Sequence, residues 1–247
     1  MRALETALDG LRALIAGGDL QPRDRLPSES ELCERFGVSR GSLREAIRML
    51  SALGVLDTRH GSGTYVGDLR AAPILENLSL TVGLLPLDSL LELTELRRAL
   101  ESHAASLAAA RIDDADLAAL DALLTELEVT TDDTDQSRLD HEFHMRIVEV
   151  GANSAFAAMV AVLRSRSRAY HLFSTNDGAA VKELSDAGHR AIWHALQTRD
   201  PMAAAAAAAA HVTQTEVWLR KHRPPAVVGS HAHPAGRSAR VRSAPGR

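Results

Sequence analysis

Cysteine occurs once in the 247 residues, at Cys33, and aromatic residues make up only 3% of the chain. A single thiol closes no internal disulfide, which suits a reducing compartment. Cys33 falls on the apolar face of a short helix, where it reads as a small hydrophobe in preference to a redox sensor. No stretch approaches the roughly 18 consecutive apolar residues of a membrane span, and a secretory h-region is missing as well. A cytoplasmic protein with no membrane contact is the expectation. Basic excess is also absent: 28 Lys and Arg stand against 32 Asp and Glu. Residues 1–70 hold 10 Arg and no Lys against 10 acids, residues 71–221 hold 13 basic and 22 acidic side chains, and residues 222–247 hold 5 Arg and no acid. Any contact with a polyanion must therefore rest on local arrangement and not on a basic domain. The length suits one large domain or two ordinary ones.

What is present is concentrated first in residues 26–66, LPSESELCERFGVSRGSLREAIRMLSALGVLDTRHGSGTYV. Ser28 stands three residues before Glu31 and just ahead of Leu32, Cys33 and Phe36, a capping box that opens a short helix. Gly37 ends that helix, because glycine enters the left-handed region without steric cost. Ser39 caps a second helix whose apolar face is Leu43, Ala46, Ile47, Leu50 and Leu53. Arg40, Arg44 and Arg48 recur every four residues on its other side. Gly54 stops this helix, and residues 55–58 and 64–66 are strand-forming on either side of the turn at residues 59–63. Taken alone, the arginine row reads as a solvated helix face. Joined in order to the capping box, the turn glycine and the hairpin, it reads as a helix-turn-helix with a wing.

These residues resemble the winged helix-turn-helix of GntR-type bacterial transcription regulators, over about residues 8–68. The resemblance implies that the arginine opening the recognition helix, the one four residues later, and the wing tip contact DNA. Here those are Arg40, Arg44, His60 and Gly61, and Ser42 between the arginines joins the set. The family usually has arginine where this chain has Ser30, so its operator preference does not carry over.

Outside that unit the chain reads as helical. Residues 2–17 place Leu4, Leu8, Leu11, Leu14 and Ile15 at helical spacing. Residues 69–86, with Pro73, Gly83 and Pro86, read as a linker containing one short helix. Helices are expected at residues 87–112, 114–129, 137–150, 154–173 and 179–198, with an acidic break at 130–136. Asp200 and Pro201 are a capping residue and first-turn proline for a last helix that contains eight alanines, 203–210. Residues 222–247, with four prolines and three glycines, are expected to be a disordered tail. The fold class is therefore mainly α: a winged helix-turn-helix at 1–68, a linker at 69–86 and an all-α helical bundle at 87–221.

A second constellation lies in the bundle. Asp140 and His144 are four apart and share a helix face; His189 and His211 fall on two later helices. Three imidazoles and a carboxylate around one interior point suit a borderline divalent ion such as Zn²⁺, Ni²⁺ or Mn²⁺. Each histidine alone is more often a polar residue with an ordinary hydrogen bond than a ligand.

The bundle resembles the FCD effector domain of the FadR-like GntR subgroup, through ELRRALE at 95–101, DHEFH at 140–144 with Asn153 soon after, GHRAI at 188–192, and the histidine ending the alanine run. The resemblance implies a metal held by Asp140, His144, His189 and His211, with His141 and His194 outside the set. It also implies an effector cavity near Arg97, which could instead pair with Glu101 one turn on. Gly188 replaces the glutamate usual before the third ligand and is expected to loosen its helix by about 1 kcal/mol. The implied protein is a homodimer that reads a palindromic double-stranded operator and responds to a small organic acid, not an enzyme. Its rivals are a metal sensor whose signal is the ion itself, and a metalloenzyme fused to a DNA-binding unit.

Overall fold

The computed structural model describes residues 2–167 and 178–223. Helices α1 (Arg2–Ala16), α2 (Glu29–Phe36) and α3 (Arg40–Ala52) lead into a hairpin of β1 (Leu56–Arg59) and β2 (Gly63–Val66). Two short helices, α4 (Ala71–Glu76) and α5 (Leu78–Val82), connect this unit to α6 (Leu87–Ala109), α7 (Asp114–Val129), α8 (Asp133–Gly151), α9 (Ser154–Ser167), α10 (Gly178–Gln197) and α11 (Pro201–His222). The architecture is a winged helix-turn-helix followed by an all-helical domain.

The capping box forms: Ser28 N–H donates to Glu31 Oε2 at 2.8 Å, and Glu31 N–H donates to Ser28 Oγ at 3.3 Å. Gly37 takes φ 65°, and its N–H reaches the carbonyls of Cys33 and Glu34, which turns the chain into α3. Ala7, Leu11 and Leu14 of α1 close over Leu32, Leu43, Ala46 and Leu50. Leu56 pairs with Val66 and Arg59 with Gly63, so the buried ends of both strands face the core and the tip projects. A bridge from Arg25 to Tyr65 adds a further rung beside β2.

In the bundle, Phe143 is fully buried among Leu120, Leu124, Leu139, Ile192 and Leu196. The alanine run is packed, with Ala204 and Ala208 buried, and Ser102 Oγ donates to the Ala205 carbonyl at 3.0 Å as α11 lies along α6. Asp200 receives the Met202 and Ala203 N–H groups, so the helix starts where the Asp-Pro pair predicts.

Three expectations change. The linker has two short helices in place of one, both lying against α9; Pro73 sits in the first turn of α4, where its missing N–H costs nothing. The acidic break at 130–136 is largely the start of α8, because Asp132 receives the N–H groups of Thr134 and Asp135 and the acidic first turn complements the helix dipole. The expected extension of α9 over 168–173 lies outside the described residues, as does most of the tail. At the tail's start, however, His222 belongs to α11 with its ring stacked on Trp218 at 4.9 Å, and Arg223 donates to Asp88 at 2.8 Å. Among the described residues, no helix is long and apolar enough to cross a membrane.

Candidate metal centre and nucleic-acid interface

On the winged unit, Arg40, Arg44, His60 and Gly61 are exposed, as is Arg48. Ser42 is half-buried, its N–H and hydroxyl both engaged with the Ser39 cap. Arg44 Nε–H donates to both carboxylate oxygens of Glu29, and an Arg40 η N–H donates to Ser30 Oγ. Gly61, at φ 72°, forms the wing tip. The fold thus presents the arginines and the wing tip at the surface of one compact unit.

In the bundle, one donor atom each from Asp140, His144, His189 and His211 lies within 4.8 Å of the others. All three imidazoles present Nε2. His144 Nε2 is 3.2 Å from both His189 Nε2 and His211 Nε2, His189 Nε2 is 3.1 Å from Asp140 Oδ1, and His144 Nε2 is 3.7 Å from that oxygen. Donors bonded to one ion at about 2.0–2.2 Å stand roughly 3.0–3.4 Å apart. The four side chains therefore fit a shared cation almost as they are placed. His141 does not join the cluster, and His194 is exposed.

The second nitrogen of His144 explains its orientation. Nδ1 is 3.1 Å from Glu101 Oε2, which places the proton there and leaves the Nε2 lone pair facing the other donors. His189 Nδ1 and His211 Nδ1 are buried and have no hydrogen-bond partner among the described residues. The three rings are 1–4% exposed, whereas Asp140 is 23% exposed and is the member of the cluster most open to water. Burial, and then the charge of Arg164, pushes His144 down to about 4; burial holds His211 well below its ordinary value too. Both are neutral and ready to ligate at pH 7.

Sequence reasoning missed the support beneath this site. Arg164 of α9 is 3% exposed and donates from Nη1 to both oxygens of Glu101, at 3.0 and 2.9 Å, and from Nη2 to Asp140 Oδ2. Arg97 donates from Nε to Glu101 Oε1, the alternative that the i, i+4 spacing had left open. Burial alone would raise the pKa of Glu101 and Asp140, but Arg164 foremost reverses this and holds both carboxyls well below their usual range. The one sequence signal for Arg164 is its place in the buried stripe of α9, beside Val160 and Leu163. A charged residue in an apolar stripe needs a partner.

These shifts set a pH dependence. A histidine whose folded pKa is depressed contributes stability above its unfolded value, and that contribution is lost as protons bind the unfolded chain first. Chelator-treated protein is expected to lose on the order of 2–3 kcal/mol from His144 alone as pH falls from 6.5 to about 4, with His211 adding to the loss in the same direction. Denaturant melts at stepped pH check this; a flat profile across the window would mean that the rings are already charged or exposed.

Gly188 has a different role from the loosening its propensity predicts. A Cβ at this position would stand 2.6 Å from His211 Nδ1 and 3.1 Å from Gln214 Oε1. Only glycine lets α10 come this close to the ring of His211. Gly188→Ala, which should gain about 1 kcal/mol from helix propensity, is instead expected to weaken Zn²⁺ binding and bring no gain in melting temperature. Calorimetric titration with Zn²⁺ and thermal melts of both proteins decide it. Unchanged affinity with a raised melting temperature would leave Gly188 as a mere weak point in the helix.

Comparison with known proteins matches both halves. Residues 4–66 match the gntR family of bacterial regulatory proteins, and residues 92–214 match the FCD domain. The HTH-type transcriptional regulator LutR of Bacillus subtilis (strain 168) is 30% identical over 211 residues, covering 82% of this chain and 94% of that protein. The Glc operon transcriptional activator of Escherichia coli (strain K12) is 27% identical over 223 residues, covering 84% and 85%. Among solved structures, Streptococcus agalactiae GntR is 31% identical, with a TM-score of 0.54, over 87% of this chain and 99% of that one.

Proposed function

The chain belongs to the GntR family of bacterial transcription regulators, with an FCD effector domain, and within that family we propose that it is a metal-dependent, metabolite-responsive operator-binding protein. Its relatives are transcription regulators and not enzymes, and GntR regulators bind DNA operators and effectors and usually work as dimers. We assign residues 1–68 to DNA binding, 69–86 to the connection and 87–221 to effector binding and dimerisation. The working form is a cytoplasmic homodimer, because one recognition helix reads too few base pairs and a two-fold protein pairs with a palindromic site.

The observation that carries the metal reading is the convergence of three Nε2 atoms and Asp140 Oδ1 on one interior point. Asp140, His144, His189 and His211 would hold a borderline divalent ion, Zn²⁺, Ni²⁺ or Mn²⁺. When bound, such an ion supplies a Lewis-acid position for a carboxylate oxygen. Glu101 keeps His144 turned toward that point, and Arg164 keeps Asp140 Oδ2 occupied so that Oδ1 faces the rings. The effector in this reading is a small carboxylate such as a hydroxy or sugar acid. Arg97, buried beside Glu101, offers the guanidinium for it.

On the DNA side, Arg40, Ser42, Arg44, His60 and Gly61 form the reading surface. Arg44→Ala is expected to weaken operator binding by about 1–3 kcal/mol without unfolding the unit, because the side chain points away from Leu43, Ile47 and Leu50. The test is enrichment of an operator from random duplex DNA, then titration of wild type and variant with Zn²⁺ or chelator, with and without organic acids. Equal affinities would remove Arg44 from the interface. A response to metal that no acid alters would make the ion itself the signal.

A further inference from the structure

Glu29 and Ser30 are the first two residues of α2, set between the two members of the capping box, Ser28 and Glu31. The box fixes that turn from both sides. From it, Glu29 accepts the Arg44 Nε–H on both oxygens, at 3.0 and 2.9 Å, and Ser30 Oγ accepts an Arg40 η N–H at 3.0 Å. Both arginines stand in the opening turns of α3. We propose that the first turn of α2 is a positioning element for the DNA-reading arginines, with Glu29 aiming Arg44 and Ser30 aiming Arg40. This rests on the operator-reading role assigned above to those two side chains.

Stability does not account for the pair. Arg44 and Glu29 are 59% and 39% exposed, and ion pairs this open to water add little to folding. Charge does not account for it either, since a carboxylate beside a DNA-facing helix repels phosphate. Geometry does. Glu29 takes Nε, which leaves the η edge of the guanidinium open. That edge supplies the two parallel N–H donors that match guanine O6 and N7. An unanchored arginine loses rotamer freedom when it binds, whereas one already aimed loses less.

Ser30 makes the same argument for the residue that differs from the family pattern. A hydroxyl there accepts from Arg40. An arginine there accepts from nothing, sets two guanidiniums side by side and releases Arg40 from this anchor. Ser30 is then a specificity-determining residue even though its own side chain is too short to read a base.

The experiment uses the full chain and a duplex enriched by the wild type from a random library, with a scrambled duplex of equal length as the control. Affinities for both are measured over a series of salt concentrations, and compared at matched salt, for wild type, Glu29→Gln and Ser30→Arg, and for Glu29→Gln in an Arg44→Ala background. Losing a negative charge tightens the grip of Glu29→Gln on the scrambled duplex. Losing the anchor lowers the ratio of operator to scrambled affinity, by about tenfold if one good base contact is misaligned. In the Arg44→Ala background Glu29→Gln should leave that ratio unchanged. Ser30→Arg should bind scrambled DNA more tightly with a steeper salt dependence and should also lose discrimination. A ratio that is unchanged in Glu29→Gln, or that falls equally without Arg44, overturns the positioning role of Glu29. Discrimination retained in Ser30→Arg overturns that of Ser30. A wild type that enriches no duplex overturns the operator-reading surface itself, and the positioning element with it.

Discussion

Replacing Arg164 with methionine is expected to cost about 3–5 kcal/mol of folding stability, the range for leaving a buried ion pair without one partner. Arg164 is 3% exposed and is shared by two carboxylates, Glu101 and Asp140. Without it, among the described residues, Glu101 keeps Arg97 and His144, but Asp140 keeps only the histidines of its own cluster. Both carboxyls then rise toward protonation, because burial is no longer opposed by the nearest cation. Denaturant unfolding in chelator separates this cost from any change in metal binding. Lysine at 164 should recover little, since a point charge cannot reach both carboxylates as a planar fork does. Adding Asp140→Asn to the methionine variant should recover part of the loss by removing the stranded charge. A loss below about 1 kcal/mol would show that the two carboxylates find other partners and that Arg164 is not the keystone of the network.

Stripping the metal should be the next largest effect. A ligand that binds only the folded state at 1,000 times its dissociation constant stabilises it by about 4 kcal/mol. For a chain of this size that is roughly 8–16 °C in melting temperature. Wild-type protein is expected to melt that much lower in chelator than in Zn²⁺, whereas His189→Ala should melt alike in both. His189 is the informative position because its Nε2 lies next to both His144 Nε2 and Asp140 Oδ1. Metal analysis of the purified proteins supplies the second readout, with the ion present in wild type and absent from the variant. Wild-type protein that holds no metal, and whose melting is indifferent to Zn²⁺, Ni²⁺ and Mn²⁺, would return the four residues to ordinary polar core.

The features legible in the sequence are those governed by short range. The capping box of Ser28 and Glu31, the Ser39 cap, the Asp-Pro start of α11, and the shared face of Asp140 and His144 all lie within one helical turn. Backbone geometry alone brings residues three and four apart together. The repeating apolar positions likewise identified the helices, because an apolar stripe must be buried wherever its partner lies. Even so, the grouping of His189 and His211 with Asp140 rests on their being helix-borne and on family resemblance, since nothing in their spacing says which helix faces meet.

That was decided by packing. Glu101 meets His144 across 43 positions of sequence, and Arg164 meets Asp140 across 24, because α6, α8 and α9 press their apolar stripes together and carry these polar groups with them. The same contact separates the roles of the two imidazole nitrogens of His144, a distinction that no one-dimensional pattern contains. Gly188 shows the reason most plainly. Helix propensity counts only the chain's own backbone, and by that measure glycine is a weakness; the ring of His211, supplied by a helix 23 residues further on, is what leaves no room for a Cβ.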